Sequence, residues 1–155
     1  MRRILFLAGA FVLLLVLPGT VQRDLTVSHT HSELLAKRIF AYRDWQSTGV
    51  RIDSGDRVMI LAQGEWLYTP GEYHGPRGHP VFPAPDFYPI SRGSGGALIG
   101  RIGENGFPFV VGAGVNTQAR EHGILYLRIN DDILSDNDGW VAVHIDVTET
   151  EDSLP

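Results

Sequence analysis

The chain has 155 residues, enough for one domain and an appendage. Thirteen Lys and Arg against 18 Asp and Glu leave a formal net charge of −5, which argues against nucleic acid or an anionic membrane face as a partner. There are no cysteines, so the fold must be held by its core or by a metal and not by disulfides.

Residues 1–21 begin with Arg2 and Arg3 and run into an apolar stretch from Ile4 to Leu17, followed by Pro18 and Gly19. That stretch is shorter than the roughly 20 residues a membrane-spanning helix needs. It has the shape of a secretory signal peptide, or of a signal anchor if it is not cleaved. The protein is therefore expected to be secreted or periplasmic, with a membrane as partner only in the anchored case. Removing the two arginines takes the net charge from −5 to −7. Residues 22–38 are polar and read as a tether. They include His29-Thr30-His31, which can bind a metal where a fold presents both rings and is otherwise simply solvated.

Residues 39–148 have the punctuation of an all-β domain, with most of the chain's 18 glycines and nine prolines falling between short β-branched runs. Strands are expected near Ile39–Tyr42 and Gly49–Ile52, and then where Val58, Ile60 and Ala62 share one face. Others follow near Ala97–Ile102 and Phe107–Val111, then where Leu125, Leu127 and Ile129 alternate with Tyr126 and Arg128, and finally where Val141, Val143, Ile145 and Val147 alternate. Period two over such lengths marks half-buried strands, and a two-sheet sandwich is their natural packing. No segment is long enough for a core helix. Residues 149–155 form an acidic tail.

Two intervals break the strand rhythm. Tyr68 to Gly96 holds six of the nine prolines and the aromatics Tyr73, Phe82, Phe87 and Tyr88. A loop of that length in a small domain is usually functional or disordered, and the aromatic content favours a semi-rigid recognition loop. His74 and His79 lie in this interval and could form a zinc pair, but no third ligand has a suitable spacing; His74 and His122 are expected to face solvent.

The second interval, Asn130 to Gly139, crowds acidic and amide side chains between two strands. Carboxylates held this close repel one another unless a cation sits among them, and hard oxygen donors suit calcium. A polar turn, in which Asp, Asn and Gly serve the backbone, explains the same composition. An EF-hand is excluded, because Leu134 and Ile145 stand where its frame needs acids.

Four segments in order, WQSTGVRIDSGDRVMILAQGEW, YTPGEYHGPRGH, GALIGRIGENGFPFVVG and LYLRINDDILSDNDGWVAVHIDV, resemble the PA-I-like galactophilic lectins, a family of calcium-dependent bacterial sugar-binding proteins. The resemblance runs from about Trp45 to Val147. It implies a jelly-roll-like sandwich with one calcium held by the backbone carbonyl of Tyr68, the side chains of Asp131, Asp136 and Asn137, and a loop carbonyl. Ile133 or Leu134 could supply that carbonyl, with Leu134 favoured. The sugar then meets the ion through vicinal hydroxyls and touches His79, Asp131 and Asn137. No glutamine follows His79 before Gly96, which departs from the galactose-binding pattern.

The expected function is calcium-dependent carbohydrate binding, with galactose-containing glycans as the implied ligand and homo-oligomerisation as a source of avidity. The alternatives are an exported structural or adhesion module that calcium stabilises and that binds a protein, or a carbohydrate-active enzyme. Catalysis is not expected. No pair of carboxylates stands out as acid and base, and there is no Gly-x-Ser-x-Gly or His-Glu-x-x-His motif.

Overall fold

The computed structural model describes residues 35–149. The leader, most of the tether with His29 and His31, and nearly all of the acidic tail lie outside the described residues.

Among the described residues, nine strands form two antiparallel sheets. The first sheet holds β1 (Leu35–Phe40), β9 (Asp138–Thr148), β3 (Arg57–Thr69) and β4 (Glu72–His74) in that order, with β7 (Gly114–Gln118) also paired to β3. The second holds β2 (Gln46–Ile52), β8 (Gly123–Ile129), β5 (Leu98–Ile102) and β6 (Phe109–Val110). Among the described residues the sole helical element is a 3-10 turn, Leu134–Asp136, and no helix is long and apolar enough to cross a membrane.

The period-two positions face one another across the sandwich. Val58, Ile60 and Ala62 of β3 and Val141, Val143 and Ile145 of β9 pack against Leu125, Leu127 and Ile129 of β8 and Leu98 and Ile102 of β5. Each such aliphatic side chain contributes about 1.5–3 kcal/mol on full burial, so this layer is the main stabilising term. Trp66 closes it at the end nearest the long loop: it is fully buried, and its indole Nε1 donates to the Gly96 carbonyl at 2.9 Å.

The first strand begins at Leu35, four residues before the expected start of the domain, so the end of the expected tether is part of the sheet. Its partner is β9, with Leu35 opposite Ile145 and Phe40 opposite Trp140. Lys37 and Arg38 interrupt any apolar alternation there, and the pairing is supplied by backbone hydrogen bonds that sequence periodicity does not report. The same reason hides β7, whose five residues are mostly exposed, and β4, which has only three.

Candidate functional site

The strand register brings the two irregular intervals together. β3 and β9 pair antiparallel up to Leu67 opposite Asp138, so the next positions along the two chains are Tyr68 and Asn137. Tyr68 also falls at the register shift between Leu67 and Thr69 in the β3–β4 pairing. A bulge of this kind leaves the extra residue outside the regular ladder and re-aims it. From the other sheet, Asn130 N donates to Ala97 O at 2.7 Å and Gly96 N to Asn130 O at 2.9 Å, carrying the β5–β8 pairing one step further towards the same place.

Asp131 lies at the centre and is 3% exposed. Its Oδ1 accepts the backbone N–H of Asp132 at 2.7 Å and of Ile133 at 3.4 Å, while Oδ2 accepts Asn137 Nδ2 at 2.8 Å. Asn137 is also buried, and its Oδ1 has no hydrogen-bond partner. A buried acceptor without a donor is costly, and beside a carboxylate it is the arrangement a cation satisfies. Asp136 differs from these two: it is exposed, at the end of the 3-10 turn. The carbonyls of Ile133 and Leu134, the two alternatives for the loop ligand, both lie within reach of Asn137, accepting its Nδ2 at 3.3 Å and its backbone N–H at 3.4 Å. Asp132 and Asp138 are exposed, as expected of solvated turn residues.

Three residues build this site in roles the sequence did not assign to them. Asn130 is 1% exposed and staples the proline-rich loop: its Oδ1 accepts Ile90 N at 3.0 Å, and its Nδ2 donates to Ile90 O at 2.9 Å and Ser94 O at 3.2 Å. That staple sets Tyr88 against Asp131. Burial first, then hydrogen bonds to Tyr68 and Asp131, push the Tyr88 phenol above its ordinary range, so it stays a neutral donor.

Arg128 was expected on the outer face of β8, which it occupies, yet it is only 8% exposed. Asp44 and Trp45 in the β1–β2 loop cover it; its Nη1 donates to Asp44 Oδ1 and its Nη2 to the Asp131 carbonyl at 2.5 Å. Burial lowers its pKa from the ordinary guanidinium value, and the neighbouring Asp44 and Asp131 oppose that shift.

The histidine end of the loop joins the acidic end through a row of rings. His79 sits 4.6 Å from His74, His74 packs edge-on to Tyr68 at 6.0 Å, and the Tyr68 hydroxyl lies 3.3 Å from that of Tyr88. Gly95 is required at this point, because a Cβ there would stand 2.1 Å from the Tyr68 hydroxyl oxygen. His74 is not a solvent-facing residue: its side chain is 14% exposed. Its position between Tyr68 and His79 depends on the loop folding back, which local sequence does not report. His122 is exposed as expected.

No protein-family model matches the chain, and no curated protein matches it. Eight solved chains do match it in structure. One is the N-terminal domain of EclA, a PllA-like lectin. It is 21% identical, superposes with a TM-score of 0.57, and the match covers 74% of this chain and 97% of that one. This chain shares the fold of that domain. At that identity the likeness carries the architecture alone.

Proposed function

We propose that the protein is a calcium-dependent lectin of the PA-I-like kind, binding carbohydrate through the ion without chemistry on it. The observation that carries the reading is the buried, donor-free Oδ1 of Asn137 beside the Asp131 carboxylate, at the end of a sandwich whose fold a PllA-like lectin shares. The donor set is all oxygen, which fits a hard cation.

The Asp131 and Asn137 side chains would hold the ion with the Tyr68 carbonyl, the Leu134 carbonyl and Asp136, whose exposed position leaves it free to turn inward. Bound calcium supplies open coordination positions that vicinal sugar hydroxyls can fill. The chain's own residues do the positioning. Arg128 fixes the Asp131 backbone, and Asn130 holds the loop that sets the Tyr88 phenol beside the Asp131 carboxylate. His79 is the candidate for a further hydroxyl contact. Its Nδ1 accepts the Val81 and Phe82 N–H groups, each at 3.1 Å, so its Nε2 carries the ring proton and acts as a donor.

The exposed Val81, Phe82 and Phe87 side chains rim the same loop and offer apolar surface to a sugar face or aglycone. Secretion, galactose preference and homo-oligomerisation belong to this proposal. A shallow site of this kind gains avidity from several copies.

A glycan array in calcium and in chelator, with wild type beside Asp131→Ala, tests the reading. Binding is expected in calcium for the wild type alone. Binding that survives both chelation and the substitution would sink the mechanism, and no glycan binding under any condition would leave the calcium-stabilised module as the better account.

A further inference from the structure

We propose that an aromatic and basic platform on the outer face of the first sheet is a second binding surface, for an anionic sugar residue bearing a carboxylate or a sulfate. Ile39 and Val141 point into the core, so their neighbours Phe40 and Trp140, directly opposite one another on β1 and β9, share the outer face. The Tyr42 ring follows 5.5 Å from that of Phe40, in the turn just beyond β1. Two arginines lie over this row. Arg38 Cζ is 4.2 Å from the centre of the Trp140 ring, and Arg43 Cζ is 4.6 Å from that of Phe40 and 5.7 Å from that of Tyr42. Trp140 is 38% exposed and Tyr42 43%, so the row is open to a ligand.

The charges on this face select an acid. Arg38 and Arg43 are exposed, and among the described residues neither guanidinium makes a hydrogen bond or an ion pair, so the N–H donors of both are unspent. Asp44, next to Arg43 in the chain, is committed elsewhere: its Oδ1 accepts Arg128 Nη1 and the Trp45 N–H. Glu65 stands on the other side of Trp140, on β3, and confines an anionic group to the Arg38 and Arg43 side. In a chain of net charge −5, two free guanidiniums on one platform reverse the sign of the local field and draw an anion.

The rings decide the rest of the ligand. An aromatic face accepts the apolar C–H face of a pyranose, and a guanidinium beside it takes a carboxylate or a sulfate through paired N–H donors. An extended polyanion or an anionic membrane fits less well, because Glu65 and the chain's excess of acid repel it beyond the two arginines. The platform uses none of Tyr68, Asp131, Leu134, Asp136 or Asn137. It therefore adds to the proposed lectin a contact that needs no calcium and stands or falls separately from the ion.

The test uses the full chain in chelator at low salt, with binding followed by calorimetry. The probes are a galacturonic acid oligomer beside its methyl ester, and a sulfated galactan oligomer beside its unsulfated form. The wild type is expected to bind at least one of the two acidic oligomers and neither neutral counterpart, with affinity that falls as salt is added. The acid that binds tells carboxylate from sulfate. Arg38→Gln, Arg43→Gln and Trp140→Ala should each weaken binding about tenfold or more, while Asp131→Ala binds like the wild type. The two arginine variants change exposed side chains only, so they decide the matter if Trp140→Ala proves unstable to heat. Binding of neither acid, equal binding of a neutral counterpart, or undiminished affinity in both arginine variants would overturn the platform. Calcium is absent throughout, so failure here leaves the glycan array result untouched, and failure of the array leaves this result untouched.

Discussion

At the scale of single residues, Asp131 shows how much structure one buried carboxylate requires. It takes hydrogen bonds from two backbone N–H groups and the Asn137 amide, the Tyr88 phenol stands beside it, and its own carbonyl is held by Arg128. A charge buried this completely is tolerated only with donors or a cation around it. Tyr88→Phe removes one donor and keeps the ring, so it should lower stability by about 1 kcal/mol in urea unfolding with an unchanged slope. An unchanged midpoint would mean that the phenol does not support Asp131. The sequence brought Asp131 and Asn137 into view through the crowding of acids and amides and through family resemblance. It named Tyr88 only as a loop aromatic and Arg128 only as an outward strand position, because Asp131 for the first and Asp44 for the second stand far from them in the chain.

At the scale of elements, the long loop is ordered by a neighbour more than by its own prolines. Asn130 extends the β8 pairing and at the same time copies a strand edge for the loop, holding both the N–H and the carbonyl of Ile90. Asn130→Ala should therefore speed hydrogen exchange at the Ile90 amide and cost about 1–3 kcal/mol, since buried loop groups lose their partners. It should also weaken glycan binding by letting Tyr88 leave Asp131. Exchange at Ile90 that stays as slow as in the wild type would show that the prolines alone order the loop. The expected strands on β3 and β9 hold because each has one dry and one more open face, while β8 keeps its apolar period although its outer face is covered. β7 and β4 went unseen because they bury little, so their pairing leaves no apolar period to read.

At the scale of the molecule, the domain has no disulfide to stiffen it, and the acidic end of the sandwich carries unmet donor needs at Asn137. An ion that binds only the folded state stabilises it by mass action, by about 2.7 kcal/mol at a hundred times its dissociation constant. Calcium should therefore raise the melting temperature by several degrees, and chelation should reverse the rise. Asp131→Ala should abolish the response. A melting curve indifferent to calcium and chelator would exclude the ion from the folded state.

What the sequence determined by itself was the class of fold and the two intervals that break its rhythm. Alternation is local: each strand records which of its faces is dry, and a loop rich in proline and aromatics records that it is not a strand. What only the tertiary structure decided was which of those residues meet. The β3–β9 register sets Tyr68 beside Asn137, the β8 extension ties Asn130 to Ile90 and Ser94, and the β1–β9 pairing sets Phe40 beside Trp140. The reason is physical. Registers and loop closures are fixed by the packing of the whole core and by backbone hydrogen bonds common to every sequence, so the side chains at a site carry no local mark of the neighbours they will acquire.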